Sequence, residues 1–238
     1  MNGLRSVLFV AALVAITPPF SFVALLTCWL PRRWRYHIIG QWNRLTIFLL
    51  RLCCGIRHEV QGLENLPKAP FVLCANHQSA WETIAFYQIF PPASFVIKRS
   101  LLLIPFFGWG LYIAMEPIPI DRSARMDALR RVLARGREKM ARGLAVVVFP
   151  QGHRIPAGER APFQPSAAML ATEAGVPLVP VALNSGRCWP GGVGGLGKRP
   201  GTITVSVGPP LATAGRRARE VSAEAEAWIS AEMDRIGA

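Results

Sequence analysis

His77 and Glu82 stand five residues apart in the run Asn76-His77-Gln78-Ser79-Ala80-Trp81-Glu82, directly after the apolar stretch at residues 71–75. That stretch reads as a buried strand. On a regular helix, positions i and i+5 lie about 140° apart, so two side chains in mid-helix could not meet. A turn removes the obstacle. If the strand ends near Asn76 and a helix begins near Ser79, the Glu82 carboxylate can reach back to one imidazole nitrogen while the other faces outward as a base. This is the orienting half of a Ser-His-Asp arrangement without a serine nucleophile, and it suits activation of a hydroxyl that the substrate supplies. A structural histidine beside a solvated glutamate is the competing reading of an isolated pair.

The surroundings of the pair decide between them. NHQSAWE resembles the NHxSxxD block of the glycerolipid acyltransferases, which include the 1-acylglycerol-3-phosphate (lysophosphatidate) acyltransferases, and three further blocks follow in the family's order. Residues 98–122, from Lys98 to Arg122, resemble the second block. Phe149-Pro150-Gln151-Gly152-His153-Arg154 resembles FPEGTR, and Val176-Pro177-Leu178-Val179-Pro180-Val181 resembles the fourth block. The resemblance spans roughly residues 60–210. It implies acyl transfer from acyl-CoA or acyl carrier protein to a lysophospholipid hydroxyl, with the thioester as co-substrate and no cofactor. His77 is then the base, and Glu82 fixes its tautomer. Arg122 and Arg154, with Lys98 behind them, bind the acceptor phosphate. Backbone N–H groups at Gln151 and Gly152 are candidates for the oxyanion, and Asn76, Ser79 and His153 complete the candidate substrate site. Glu82 departs from the family's Asp by one methylene. Gln151 and His153 replace Glu and Thr, removing a negative charge and placing a titratable ring beside Arg154. Those two changes permit a phosphate-free lyso-aminolipid as an alternative acceptor; an inactive lipid-binding relative is the alternative outside enzymes.

Charge and hydropathy point to a membrane surface. The 238 residues carry 27 Lys+Arg against 14 Asp+Glu, a formal charge of +13, and 51% are hydrophobic. Residues 1–58 hold Arg5, Arg32, Arg33, Arg35, Arg44, Arg51 and Arg57 and no acidic residue. Anionic headgroups are the natural partner of such a segment. Nucleic acid is disfavoured, because no aromatic-and-basic stripe or nucleic-acid-binding signature accompanies the charge. Residues 6–30 are uncharged and long enough as a helix, about 37 Å, to span a bilayer. Pro18-Pro19 predicts a break there. From Tyr36 to Cys54, His37, Arg44 and Arg51 recur every seven residues on an otherwise apolar pattern, which favours a helix lying in the interface. Arg32, Arg33 and Arg35 place that flank on the cytoplasmic side, consistent with an inner-membrane enzyme whose catalytic domain faces the cytoplasm.

These elements fit an α/β fold: one globular acyltransferase domain, a mixed sheet flanked by helices at residues 59–238, behind a hydrophobic helical membrane anchor at residues 1–58. Strand-like runs occur at 71–75, 94–97, 145–149, 176–183 and 202–208. Met126, Leu129, Leu133 and Met140 recur at helical spacing after Ser123, a favourable N-cap, and residues 220–236 read as an amphipathic helix. Five cysteines form neither an even framework nor a C-x-x-C pair, and no H-E-x-x-H motif or Cys/His cluster suggests a metal. The run from Gly192 to Lys198 satisfies G-x-G-x-x-G, but no strand precedes it and Pro200 discourages a helix after it, so it reads as a flexible surface loop.

Overall fold

The computed structural model describes residues 2–90, 92–121 and 123–238. Seven strands form one sheet: β1 (Ile56–Gln61), β2 (Val72–Ala75), β3 (Ala93–Lys98), β4 (Ile118–Ile120), β5 (Ala145–Val148), β6 (Leu178–Leu183) and β7 (Gly201–Val207). Their order is β1-β7-β6-β2-β5-β3-β4, and every pairing is parallel except β6 with β7. The sheet therefore begins at Ile56, three residues before Glu59.

Helices cover both faces, which is why the central strands read as unbroken apolar runs. One face carries α1 (Asn2–Leu26), α2 (Arg32–Cys54), α3 (Trp81–Ile89) and α4 (Phe107–Met115); the other carries α5 (Arg125–Ala141), α6 (Ser166–Ala174) and α7 (Ala218–Arg235). The two-residue period of a strand sorts the side chains. Leu73, Ala75, Val147, Val179 and Val181 enter the first core with Phe9, Leu13, Leu50 and Cys54 of the N-terminal helices. Val72, Cys74, Val146, Val148 and Leu178 enter the second with Val132, Leu170 and Ile229.

Two expectations change. Helix α1 continues through Pro18 and Pro19 instead of breaking. The hydroxyls of Thr17 and Ser21 bond back to Leu13 O at 2.6 Å and Thr17 O at 2.9 Å, and Trp42 Nε1 donates to Thr17 Oγ1 at 3.2 Å. Contacts with α2 and α4 thus hold a helix whose own ladder lacks two donors. Second, Ser123 does not cap α5; its N–H and hydroxyl both donate to Asp121 Oδ1, and the helix begins at Arg125. Helix α4 follows a 3₁₀ turn at Arg99–Leu103 and passes so close to it that a Cβ on Gly108 would lie 2.3 Å from Leu102 O.

Candidate active site

Because β2 and β5 are parallel neighbours, the chain leaves both at the same edge of the sheet, and the loops that follow meet there. One carries His77 and the other Gln151 to Arg154. The His77 N–H donates to Gln151 Oε1 at 2.8 Å, and the His77 carbonyl accepts from the Ile155 N–H at 2.8 Å. The imidazole stacks on Phe149 with centroids 4.2 Å apart and planes 20° apart. Backbone and ring of the histidine are thus both set by the segment after β5.

Glu82 occupies the first turn of α3 and is fully buried. Its Oε1 accepts from the Gln78 and Ser79 N–H groups at 2.8 and 2.9 Å and from Ser185 Oγ at 2.7 Å, and its Oε2 accepts from Ser79 Oγ at 2.9 Å. Burial pushes the carboxyl pKa up, and the hydrogen bonds from Ser185, Gln78 and Ser79 oppose it. Oε2 lies 3.8 Å from His77 Nδ1, an electrostatic contact longer than a hydrogen bond. The turn brings histidine and carboxylate together as their spacing predicts, with the helix beginning at Trp81 rather than near Ser79.

Asn76 and Ser79 are fully buried, and their side chains are committed to the scaffold. Asn76 exchanges two hydrogen bonds of 2.9 Å with the main chain of Leu183 at the end of β6. Ser79 Oγ, besides donating to Glu82, accepts from the Trp81 N–H at 3.0 Å. Gln151 is also buried, and its acceptor atom holds His77. A glutamine supplies that acceptor as a glutamate would, so the departure from FPEGTR falls beneath the site. The Gly152 N–H, a candidate oxyanion donor, donates to Phe149 O at 3.1 Å. His153 and Arg154 are exposed; Arg154 Nε donates to Ser79 O at 3.0 Å, tying the loop after β5 to the loop after β2. Lys98 is exposed at the end of β3, and Arg122 lies outside the described residues.

Arg154 also lines an apolar cavity of about 380 Å³ that runs between α1, α2, α4 and the 3₁₀ turn. Its walls include Leu13, Trp42, Ile84, Phe95, Leu101 and Phe107. Five residues of the stretch 101–107 border it: Leu101, Ile104, Pro105, Phe106 and Phe107. Two participants escape sequence reasoning. Phe149 had a signal, as the first residue of its block. Ser185 had none, since it reaches Glu82 from 103 positions away along the chain.

A buried carboxylate behind a histidine and an exposed guanidinium that also lines an apolar cavity are brought together where the loops after β2 and β5 meet. The acyltransferase family model matches residues 57–184, and the chain belongs to that family. It is 44% identical over 211 residues to a 1-acyl-sn-glycerol-3-phosphate acyltransferase from Pseudomonas aeruginosa, covering 87% of this chain and 81% of that protein. It is 34% identical over 188 residues to an enzyme of the same name from Saccharomyces cerevisiae, covering 76% of this chain and 60% of that one. The crystal structure of the 1-acyl-sn-glycerophosphate (LPA) acyltransferase PlsC from Thermotoga maritima has the same fold, with a TM-score of 0.81 over 100% of this chain and 98% of that one at 24% identity.

Proposed function

We propose that this chain transfers a fatty acyl group from an acyl thioester, acyl-CoA or acyl carrier protein, to the free hydroxyl of 1-acylglycerol-3-phosphate, giving phosphatidate for phospholipid synthesis. The observation that carries the reading is the His77–Glu82 pair together with an apolar cavity lined by Arg154 and by Thr83 and Ile84, which follow Glu82 on α3. His77 Nε2 takes the hydroxyl proton as the oxygen attacks the thioester carbonyl. The Glu82 carboxylate, 3.8 Å from Nδ1, stabilises the imidazolium that forms. When the carbon–sulfur bond breaks, the imidazolium returns its proton to the leaving thiolate. Arg154, with Lys98 and Arg122, takes the acceptor phosphate through charge-assisted hydrogen bonds. The cavity takes an acyl chain.

Membrane attachment follows from the N-terminal helices, which the reading assigns as the anchor at residues 1–58. Helix α1 is long and apolar enough to cross a membrane. Phe9 and Leu13, however, pack into the sheet's own core. A helix clamped along one side to the catalytic domain fits attachment to one leaflet. Leu26, Trp29, Trp34, Leu103, Trp109 and Tyr112, on or next to α1, α2 and α4, are exposed, the amphipathic and aromatic composition that interfacial anchoring uses. His37, Arg44 and Arg51 are exposed along α2 and would meet anionic headgroups. The proposed location is the inner membrane, with the catalytic domain facing the cytoplasm.

The test is thiol release from acyl-CoA and from acyl carrier protein by purified protein, against lysophosphatidate and a phosphate-free lyso-aminolipid. Turnover with lysophosphatidate supports the reading. Turnover confined to the phosphate-free lipid overturns the acceptor assignment, and absence of turnover with any acceptor overturns the enzymatic one.

A further inference from the structure

Lys198 ends the glycine-rich run 191–197, and although the sequence reads as a surface loop, this lysine is only 1% exposed. Its ammonium donates to Val193 O at 3.2 Å and to Gly195 O at 2.6 Å. It also lies 4.7 Å from the centroid of Trp189 and 5.3 Å from that of Phe9 on α1. The Lys198 N–H donates to Ser6 Oγ at 3.3 Å. An ammonium taken out of water needs its hydrogen bonds replaced, and here main-chain carbonyls of one loop and two aromatic faces replace them. Burial lowers the pKa of the amine by withdrawing the ammonium from water. The loop conformation and the buried ammonium therefore require each other.

That loop abuts the site. Gly191 forms a bridge with Ser79, whose carbonyl accepts from Arg154. Gly192 packs against Arg154, such that a Cβ there would lie 3.8 Å from Nη1. Trp189 Nε1 donates to Gly192 O at 3.0 Å. Val193 lines the same cavity as Arg154.

We propose that Lys198 is a positioning residue: it fixes the 191–197 loop as the wall behind Arg154 and over the cavity mouth, so that an acceptor with an anionic phosphate headgroup is held with its hydroxyl at His77. This rests on the acceptor reading above. It adds that headgroup recognition depends on a lysine that touches no substrate and that reaches the site from the side of α1.

The experiment compares wild type, Lys198→Met and Lys198→Arg in the full chain. Methionine keeps an apolar stem between the two rings and removes the donors; arginine keeps them. The freed carbonyls belong to an exposed loop and can turn to water, so the fold should survive. With lysophosphatidate, Lys198→Met should raise the acceptor KM roughly tenfold, below the ~10²-fold that a 1 Å misplacement can cost. The kcat at saturating acceptor should fall far less, and Lys198→Arg should recover most of the KM. Hydrogen exchange in peptides covering 188–199 should quicken in Lys198→Met while β2 and β5 stay protected. An unchanged acceptor KM with an active wild type overturns the proposal and leaves the acyltransferase reading standing. Loss of protection throughout the sheet in Lys198→Met would make Lys198 a residue of the fold, which also overturns it. Should that variant not purify, Val193→Ala tests the loop directly: a raised acceptor KM is expected, and an unchanged one overturns the proposal. A wild type without lysophosphatidate turnover fails the acceptor reading on its own arm, and the proposal falls with it.

Discussion

The His77 N–H donates to the side chain of Gln151 at 2.8 Å, so the histidine is gripped through its main chain by one of the two residues at which this sequence departs from its family's third block. Gln151→Ala leaves that buried donor without its acceptor, at a cost of about 1–3 kcal/mol. The variant should lose stability by that amount and lower kcat, with the acceptor KM little changed. Gln151→Glu keeps an acceptor at the same place and should retain lysophosphatidate turnover. Denaturant titration and steady-state kinetics check both. A large rise in acceptor KM for Gln151→Ala would instead put the residue in the phosphate site.

His77→Ala and Glu82→Gln should separate chemistry from scaffold. Without its base the enzyme should lose about 10²- to 10⁴-fold in kcat while its thermal midpoint stays near wild type. Glu82→Gln should lose activity and stability together. A neutral amide at that position weakens the charge-assisted bonds now made to Gln78, Ser79 and Ser185, each worth about 1.5–3 kcal/mol. Glu82→Asp keeps the charge and should retain more activity than Glu82→Gln. Equal midpoints for Glu82→Gln and wild type would show that the hydrogen-bond cage contributes nothing to folding.

The His77–Glu82 relationship was legible because it is local: a strand, a turn and the first turn of a helix bring together residues five apart. The cage around Glu82 was legible only in part, since Ser79 lies within the motif and Ser185 comes from the loop after β6. Among strands, β2, β5 and β6 stood out because burial on both faces demands continuous apolar residues. The outer strands lack that signal. In β1, Ile-Arg-His-Glu-Val-Gln is mostly exposed at one edge of the sheet, and β4 is three residues with Pro119 in the middle at the other, where a missing N–H is tolerated. The Pro18-Pro19 break was misread because propensity describes an isolated helix, and α1 is held by its neighbours.

Arg154 is exposed, so under the proposed acceptor reading its removal would forfeit bonds to a phosphate without stranding a buried charge. Arg154→Ala should raise the acceptor KM by about 1.5–3 kcal/mol, the range for a hydrogen bond to a charged group, and leave the donor KM nearly unchanged. Initial-rate kinetics with each substrate varied in turn decide the matter. A rise in donor KM alone would move Arg154 to the thioester side.

Deletion of residues 1–54 tests how the anchor joins the domain. From sequence the helices read as an anchor in front of a globular domain, but Phe9, Leu13 and Leu50 are core side chains of the sheet, and Tyr36 and Tyr87 stack at 4.0 Å while each hydroxyl donates to the other's carbonyl. Burying a large apolar side chain is worth about 1.5–3 kcal/mol. Losing three reaches the whole net stability of a typical domain, about 5–15 kcal/mol. The truncated protein should therefore be aggregated or without a cooperative melting transition, rather than a soluble enzyme that no longer binds liposomes. A cooperative transition near that of the full chain would show that the helices are appended to the domain.

Glu116 supplies the pH dependence. Its carboxylate meets Arg35 of α2 at 3.2 Å, Lys139 of α5 at 3.1 Å and Arg142 at 2.8 Å, so it joins the anchor to the far helical layer around the sheet's edge. Burial alone would raise its pKa; the hydrogen bonds and charges of Arg142 and Lys139 outweigh burial and hold it below the ordinary glutamate value. A depressed folded pKa means that the unfolded chain takes up a proton first as pH falls. The stabilisation is thus complete above the ordinary value, about 4.3, and disappears as pH drops through the lower folded value. The difference in thermal midpoint between wild type and Glu116→Gln should be constant from pH 7 to about 5.5, shrink below about 4.3 and vanish in stronger acid. Calorimetry of both proteins across that range measures it. A difference independent of pH would mean that Glu116 acts by shape and hydrogen bonding alone, and that its three cations contribute no charge-dependent stability.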